Sequence, residues 1–141
     1  FDVDDRRWSN KQHGNLGIPF GCIIENATGG TGNDSIIGNS ADNNLRGNEG
    51  ADTLNGGLGQ DVLTGGMGQD TFQIQPGKGH VVIMDFTDGD DKILVTASVS
   101  FFTVRNVGNN TELRSGDDLM AVVLDSTELS GSLQQDGLTF F

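Results

Sequence analysis

The sequence predicts an all-β protein: a solenoid of very short coils, followed by a second β-rich segment that caps it. Three observations carry this. The stretches GGLGQDVL (56–63) and GGMGQDTF (65–72) are near copies set nine residues apart. Cut every nine residues from Gly29, the chain reads GGTGNDSII, GNSADNNLR, GNEGADTLN, GGLGQDVLT and GGMGQDTFQ, five copies in register. From residue 79 the glycine code stops, and apolar β patterning broken by turn signals takes over.

The N-terminal lead, residues 1–28, carries Trp8, Leu16, Ile18, Phe20, Ile23 and Ile24 and is expected to cover the first coil. Residues 29–73 are the repeats. Position one is glycine in every copy; position six is Asp34, Asn43, Asp52, Asp61 and Asp70; position eight is Ile36, Leu45, Leu54, Leu63 and Phe72. Glycine admits positive φ without a Cβ penalty, so the first six residues read as a tight loop whose carbonyls turn to one side. The last three, as in Ser35-Ile36-Ile37, read as a short strand with one inward apolar side chain. One apolar residue in nine builds no core alone, but stacked copies build a thin continuous one.

Residues 74–141 supply the cap. GHVVIMDF, DKILVTA, SFFTVRNV, TELRS and LMAVVLD predict five strands, with turns at Asp88-Gly89-Asp90, Gly108-Asn109-Asn110 and Gly116-Asp117-Asp118. Val104 and Val122-Val123 read as packing residues, and His80 as a surface residue. The length suits one domain. The chain starts at Phe1 without Met, which fits a fragment of a longer protein.

Charge and composition exclude several functions. Twenty acids against eight Lys and Arg give a net charge of −12, the opposite of the basic footprint a nucleic-acid binder needs. No apolar run is long enough to span a membrane, and no basic, apolar N-terminal signal is present. The single Cys22 allows no internal disulfide and reads as a small apolar residue. His13 and His80 are far apart, and no H-E-x-x-H, G-x-S-x-G or phosphate loop occurs. No catalytic constellation is legible, and the chain is expected not to be an enzyme.

The position-six acids are the chemical problem. Stacked coils bring equivalent residues about 4.8 Å apart. Two carboxylates at that distance repel by roughly 3–4 kcal/mol at an effective dielectric near 20, against a total stability of about 5–15 kcal/mol. A divalent cation between coils reverses the sign. Glycine-turned carbonyls complete an all-oxygen shell, which suits Ca²⁺. Zinc wants His or Cys, and no repeat has either. The candidate ligands are the side chains of Asp34, Asn43, Asp52, Asp61 and Asp70. The carbonyls of Gly30, Gly32, Gly50, Gly57, Gly59, Gly66 and Gly68 join them.

The nonapeptide GGxGxDxUx resembles the RTX (repeats-in-toxin, hemolysin-type) calcium-binding proteins. IPFGCIIENATGGTGNDSIIGNSADNNLRG and VVIMDFTDGDDKI are similar to the C-terminal domain of serralysin-type secreted metalloproteases, over roughly residues 15–95. The resemblance implies a right-handed parallel β-roll with two nonapeptides per coil. Asp34, Asp52 and Asp70 then lie on one side, Asn43 and Asp61 on the other. It implies about three calcium sites: first repeat with third, second with fourth, third with fifth. Asp85 and Asp91 match acids that help close the last site. The second repeat departs from the pattern, with Asn43 at position six and Asp42 at position five, so its site is expected to be weaker.

The resemblance also implies a secreted, extracellular or cell-surface location. It implies export by a type I secretion machine that reads an uncleaved C-terminal signal, for which STELSGSLQQDGLTFF is the candidate. Folding then follows on Ca²⁺ outside the cell, next to an attached N-terminal domain. A zinc protease could be that domain, its catalytic half absent here. The alternative is a recognition module for polysaccharide or a cell surface, as in the noncatalytic modules of alginate epimerases and in adhesins. That reading needs a basic or aromatic stripe, and Arg6, Arg7, Trp8, Lys11, Arg105 and Arg114 are all the sequence offers.

Overall fold

The computed structural model describes residues 15–17, 25–77, 79–96, 102–127, 129, 133–135 and 138–140, with the backbone alone at 15–17, 133–135 and 138–140. All elements among the described residues are strands. They run β1 (Asn15–Gly17), β2 (Asn26–Thr28), β3 (Ser35–Ile37), β4 (Asn44–Glu49), β5 (Thr53–Asn55), β6 (Gly59–Met67) and β7 (Thr71–Ile74). Beyond the repeats come β8 (Gly79–Ile83), β9 (Lys92–Val95), β10 (Thr103–Val107), β11 (Asn110–Ser115), β12 (Asp118–Val123), β13 (Leu133–Gln135) and β14 (Leu138–Phe140).

Strands β1 to β9 alternate between two sheets, ordered β1-β3-β5-β7-β9-β13-β14 and β10-β11-β12-β8-β6-β4-β2. Within the repeats the pairing is parallel at an offset of 18 residues: Ile36 faces Leu54, Leu54 faces Phe72, and Leu45 faces Leu63. One coil is therefore two nonapeptides. β3 and β5 have the three-residue length the repeat predicts. β4 and β6 are longer, because loop residues such as Asn48 and Gly66 also pair.

The position-eight residues form the core. Ile36, Leu45, Leu54, Leu63 and Phe72 are at most 1 % exposed, the depth at which each apolar side chain contributes about 1.5–3 kcal/mol. Ile83 and Ile93 continue the two rows in β8 and β9.

The parallel stack outruns the glycine code. β8 pairs with β6 and β9 with β7, both parallel, at offsets of 20 and 21 residues. The antiparallel cap begins after that extra coil, as the β10-β11-β12 meander, whose last strand lies parallel to β8. Its two turns carry Gly108 and Gly116 at positive φ. Thr111 anchors it from inside, its buried hydroxyl donating to the Ser126 carbonyl at 2.6 Å. Val123 packs as expected, whereas Val104 is 48 % exposed, because every residue of the edge strand β10 is exposed. Trp8, Ile18, Phe20, Ile23 and Ile24 of the expected N-terminal cover lie outside the described residues, as do His13 and Cys22.

Candidate metal centre

The turns of the roll line up in two columns. Loops 1 (29–34), 3 (47–52), 5 (65–70) and 7 (84–91) stack on one side; loops 2 (38–43), 4 (56–61) and 6 (76–81, Lys78 excepted) stack on the other. On the odd side the backbone N–H of Asp34 donates to Asp52 Oδ1 at 2.7 Å. That of Asp52 donates to Asp70 Oδ1 at 2.9 Å, and that of Asp70 to Asp91 Oδ1 at 2.9 Å. On the even side Asn43 N–H donates to Asp61 Oδ1 at 2.9 Å, and the register then sets Val81 beside Asp61. The five position-six residues thus fall into the two sets the resemblance implies, and Asp91 continues the odd column from outside the repeats.

One oxygen of Asp52, Asp61, Asp70 and Asp91 accepts a hydrogen bond of that ladder. The column side-chain oxygens outside the ladder differ from loop to loop. In loops 1, 2 and 7 such an oxygen closes its own turn. Asp34 Oδ2 accepts the Gly30 N–H at 2.6 Å, Asn43 Oδ1 the Asn39 N–H at 2.8 Å, and Asp91 Oδ2 the Thr87 N–H at 2.8 Å. In loops 3, 4 and 5, Oδ2 of Asp52, Asp61 and Asp70 is buried with no hydrogen-bond partner. A buried polar atom left so costs about 1–3 kcal/mol, more when charged, so these three oxygens call for an external partner.

The same three loops differ in backbone from loops 1 and 2. Positions two and four take positive φ there: Asn48 and Gly50, Gly57 and Gly59, Gly66 and Gly68. Asn48 is one of the few non-glycine residues that tolerate it. At the glycines among these positions a Cβ would also run into peptide oxygens of the preceding coil. A Cβ on Gly50 would strike the Gly32 carbonyl, on Gly57 that of Asn39, and on Gly59 that of Ala41. On Gly66 it would strike the Asn48 carbonyl, on Gly68 that of Gly50, and on Gly79 that of Gly59. Of the seven glycine carbonyls expected from sequence, those of Gly32, Gly50 and Gly59 are so placed. Those of Asn39, Ala41 and Asn48 are placed in the same way, though the expectation is confined to glycine carbonyls.

Position one is glycine for a different reason. None of Gly29, Gly38, Gly47, Gly56 or Gly65 has positive φ. A Cβ at any of them would collide with the position-six side chain of the same loop, which folds back over it. At Gly47 it would also lie 2.6 Å from the Gly65 carbonyl of the next coil. The gap between loops 3 and 5 is therefore flanked by a buried carboxylate oxygen and a peptide oxygen.

The electrostatics match. Burial pushes the carboxyls of Asp52 and Asp61 up to about 6. Asp70 and Asp34 add to the shift at Asp52, and Asp42 at Asp61, while the ladder hydrogen bonds oppose it. Asp70 and Asp91 are also raised, chiefly by burial; the carboxylates of Asp91 and Asp85 add to the first, and those of Asp85 and Asp90 to the second. Asp85 grips loop 5, accepting the N–H groups of Gly65 and Gly66 at 2.9 and 2.8 Å. His80 is half-buried and lines a cleft between loops 4 and 6.

Among the described residues, no three His, Cys, Asp or Glu side chains converge on one point. A cation held here must take most of its ligands from the backbone. Buried carboxylate oxygens without partners, in a lattice of turned carbonyls, fit calcium and offer no soft donor for zinc.

Such an arrangement defines an oxygen-ligand cation binder built as a β-roll. The family model of the RTX calcium-binding nonapeptide repeat (four copies) matches residues 24–50 and 37–72. No curated protein matches the chain. Among solved structures it is similar to the AlgE6R3 subunit of the Azotobacter vinelandii mannuronan C5-epimerase, solved in solution. The TM-score is 0.58 and the identity 22 %, over 90 % of this chain and 81 % of that one. That likeness is one of fold. No helix among the described residues is long and apolar enough to cross a membrane.

Proposed function

We propose that this chain is the calcium-folded, noncatalytic domain of a secreted bacterial protein, exported by a type I system and ordered only outside the cell. The observation that carries the reading is the set of three buried, unpartnered carboxylate oxygens on Asp52, Asp61 and Asp70. In support, the carbonyls of Gly32, Asn39, Ala41, Asn48, Gly50, Gly59 and Gly65 come within 3 Å of where a Cβ on a glycine of the adjacent coil would stand. Asp34, Asn43, Asp52, Asp61 and Asp70 are its side-chain ligands, over about three sites. Asp85 and Asp91 extend the odd column toward a fourth. Calcium supplies the positive charge that offsets the repulsion along each column.

The thin core and the glycine-rich repeats cannot offset the entropy of ordering while those carboxylates repel. Each site adds about 4 kcal/mol at a thousandfold excess over Kd, since only the native state binds. Extracellular calcium modules work with Kd values of roughly 10⁻⁴–10⁻³ M, so the chain would stay unfolded inside the cell and fold on release. In this reading residues 1–28 close one end of the roll, residues 74–141 close the other and carry the export signal, and the ordered roll stabilises an attached N-terminal domain.

The test is a far-UV circular dichroism titration from EDTA into Ca²⁺, with Mg²⁺ as control. A cooperative coil-to-β transition with calcium alone is expected. Full β structure in chelator, unchanged by calcium, would overturn the reading.

The likeness to an epimerase subunit favours one second reading, a polysaccharide-recognition module. Among the described residues the candidate cations for an acidic sugar are few, and Arg114 is already paired with Glu112 at 3.0 Å. Binding to mannuronan on a gel-shift or calorimetric assay would favour it.

A further inference from the structure

Among the described residues loop 4 holds the only position-six carboxylate of the even column; its neighbours there are the amide of Asn43 and the apolar Val81. The other acid of these loops, Asp42 at position five of loop 2, has Oδ1 accepting the Gln60 N–H at 2.8 Å, so the buried carboxylate oxygen without a partner in this column is that of Asp61. Asp61 would lose its accepting oxygen if loop 4 closed as loops 1, 2 and 7 do, by a hydrogen bond to the column side chain from the N–H four residues before it, which in the nonapeptide loops is position two. It does not close that way. The position-two donor of loop 4 is the Gly57 N–H, and it goes to Asn55 Oδ1 at 3.0 Å. Asn55 stands just before the loop, and its side chain is fixed from the other end, Nδ2 donating to Gln73 Oε1 at 3.3 Å.

Loop 5 repeats the logic with a different residue. Its position-two donor, the Gly66 N–H, goes to Asp85 Oδ2, and Asp70 Oδ2 is left without a partner. Loop 6, which has Val81 at position six, borrows an acceptor too: the Gly77 N–H donates to Asp118 Oδ2 at 2.9 Å. In each of these loops the position-two N–H finds one acceptor. When a neighbour supplies it, the loop's own acid is released.

We infer that Asn55 is a positioning residue for the cation site of the even column: by capturing the Gly57 N–H it keeps Asp61 Oδ2 available as a ligand. This rests on the calcium reading above and adds to it a residue outside the GGxGxD hexapeptide. At the equivalent ninth position the other repeats carry Ile37, Arg46, Thr64 and Gln73, so the device is particular to the strand that enters loop 4.

The test uses the full chain, stripped with EDTA and titrated with Ca²⁺ by calorimetry. Asn55→Ala is expected to weaken one binding step by about ten- to hundredfold, the usual effect of losing a group that orients a metal ligand, with the other steps unchanged. Asn55→Asp, which keeps the acceptor, is expected to restore that step. In an Asp61→Asn background Asn55→Ala should add nothing, because both act through one oxygen. Three results would overturn the inference. They are no weakened step in Asn55→Ala, an undiminished effect in the Asp61→Asn background, or a uniform loss over all steps with a lower melting point of the calcium-saturated chain. A wild-type chain that takes up no calcium would instead overturn the calcium reading itself.

Discussion

The backbone N–H of Asp52 donates to Oδ1 of Asp70 across 2.9 Å, one coil further along the roll. Asp52 and Asp70 are thereby each both a rung and a ligand candidate. One oxygen receives the amide of the coil before, and in Asp52 and Asp70 the other is buried without a partner.

That double use sets apart the acids of one column. Asp70→Asn keeps a rung acceptor and removes the charge, and Asp34→Asn changes a side chain whose second oxygen is already taken by Gly30. We expect Asp70→Asn to weaken calcium by at least the ten- to hundredfold typical of changes around a metal ligand, and Asp34→Asn to weaken it less. Calorimetric titration of the two variants side by side checks this; equal losses would refute the distinction.

Protons should compete with calcium. The carboxyls of Asp52 and Asp61 are pushed up to about 6 from 3.8 by burial. In chelator the folded chain thus binds protons more tightly than the unfolded one. The stability these groups confer is complete below about pH 4 and is lost as pH rises through 6, by about 3 kcal/mol for a two-unit shift. Dichroism in EDTA should show more β structure at pH 4.5 than at pH 7.5. Calcium affinity should run the other way, falling below pH 6 as ligands protonate.

Room, not backbone freedom, makes position one glycine. Gly47→Ala sets a methyl against Asp52 Oδ2 and the Gly65 carbonyl and should cost about 1–3 kcal/mol through overpacking. It should also weaken calcium. Gly89 has φ 90° and nothing within 4 Å of a would-be Cβ. Gly89→Ala should cost about 1–2 kcal/mol from backbone strain alone and leave calcium affinity unchanged. Urea unfolding in saturating calcium, paired with a calcium titration, separates the two.

The core gives a plainer contrast. Phe72 is fully buried, with the Phe86 ring 6.2 Å away. Phe72→Ala should cost about 3–5 kcal/mol. Val104→Ala, on the exposed edge strand β10, should stay within about 0.5 kcal/mol. Thermal unfolding with calcium present reads both.

Much of this was legible in the sequence because a nine-residue period fixes phase. Ile36 through Phe72 could only be the inward row, and once two repeats make a coil, Asp34, Asp52 and Asp70 must share a side. What lay beyond the code was less legible. β8 and β9 extend the roll at offsets of 20 and 21 residues, a stretch no period marks, so Asp91 joins the column unannounced by spacing. Val104 looked like core because a β-branched residue in a strand carries no sign of whether that strand is an edge. Asn55 was invisible for a subtler reason: its role is to receive one amide, and which donor lies within reach is a fact of three dimensions.

The even column ends at Val81, where the odd one runs on to Asp91. Mutual repulsion is therefore concentrated along one flank. As calcium becomes limiting, before the whole roll unfolds, the molecule should open like a book, its spine the even side and its loose pages loops 3, 5 and 7. Amide hydrogen exchange would then reach Asp52 and Asp70 before Asn43, and uniform exchange along both flanks would count against a hinged opening.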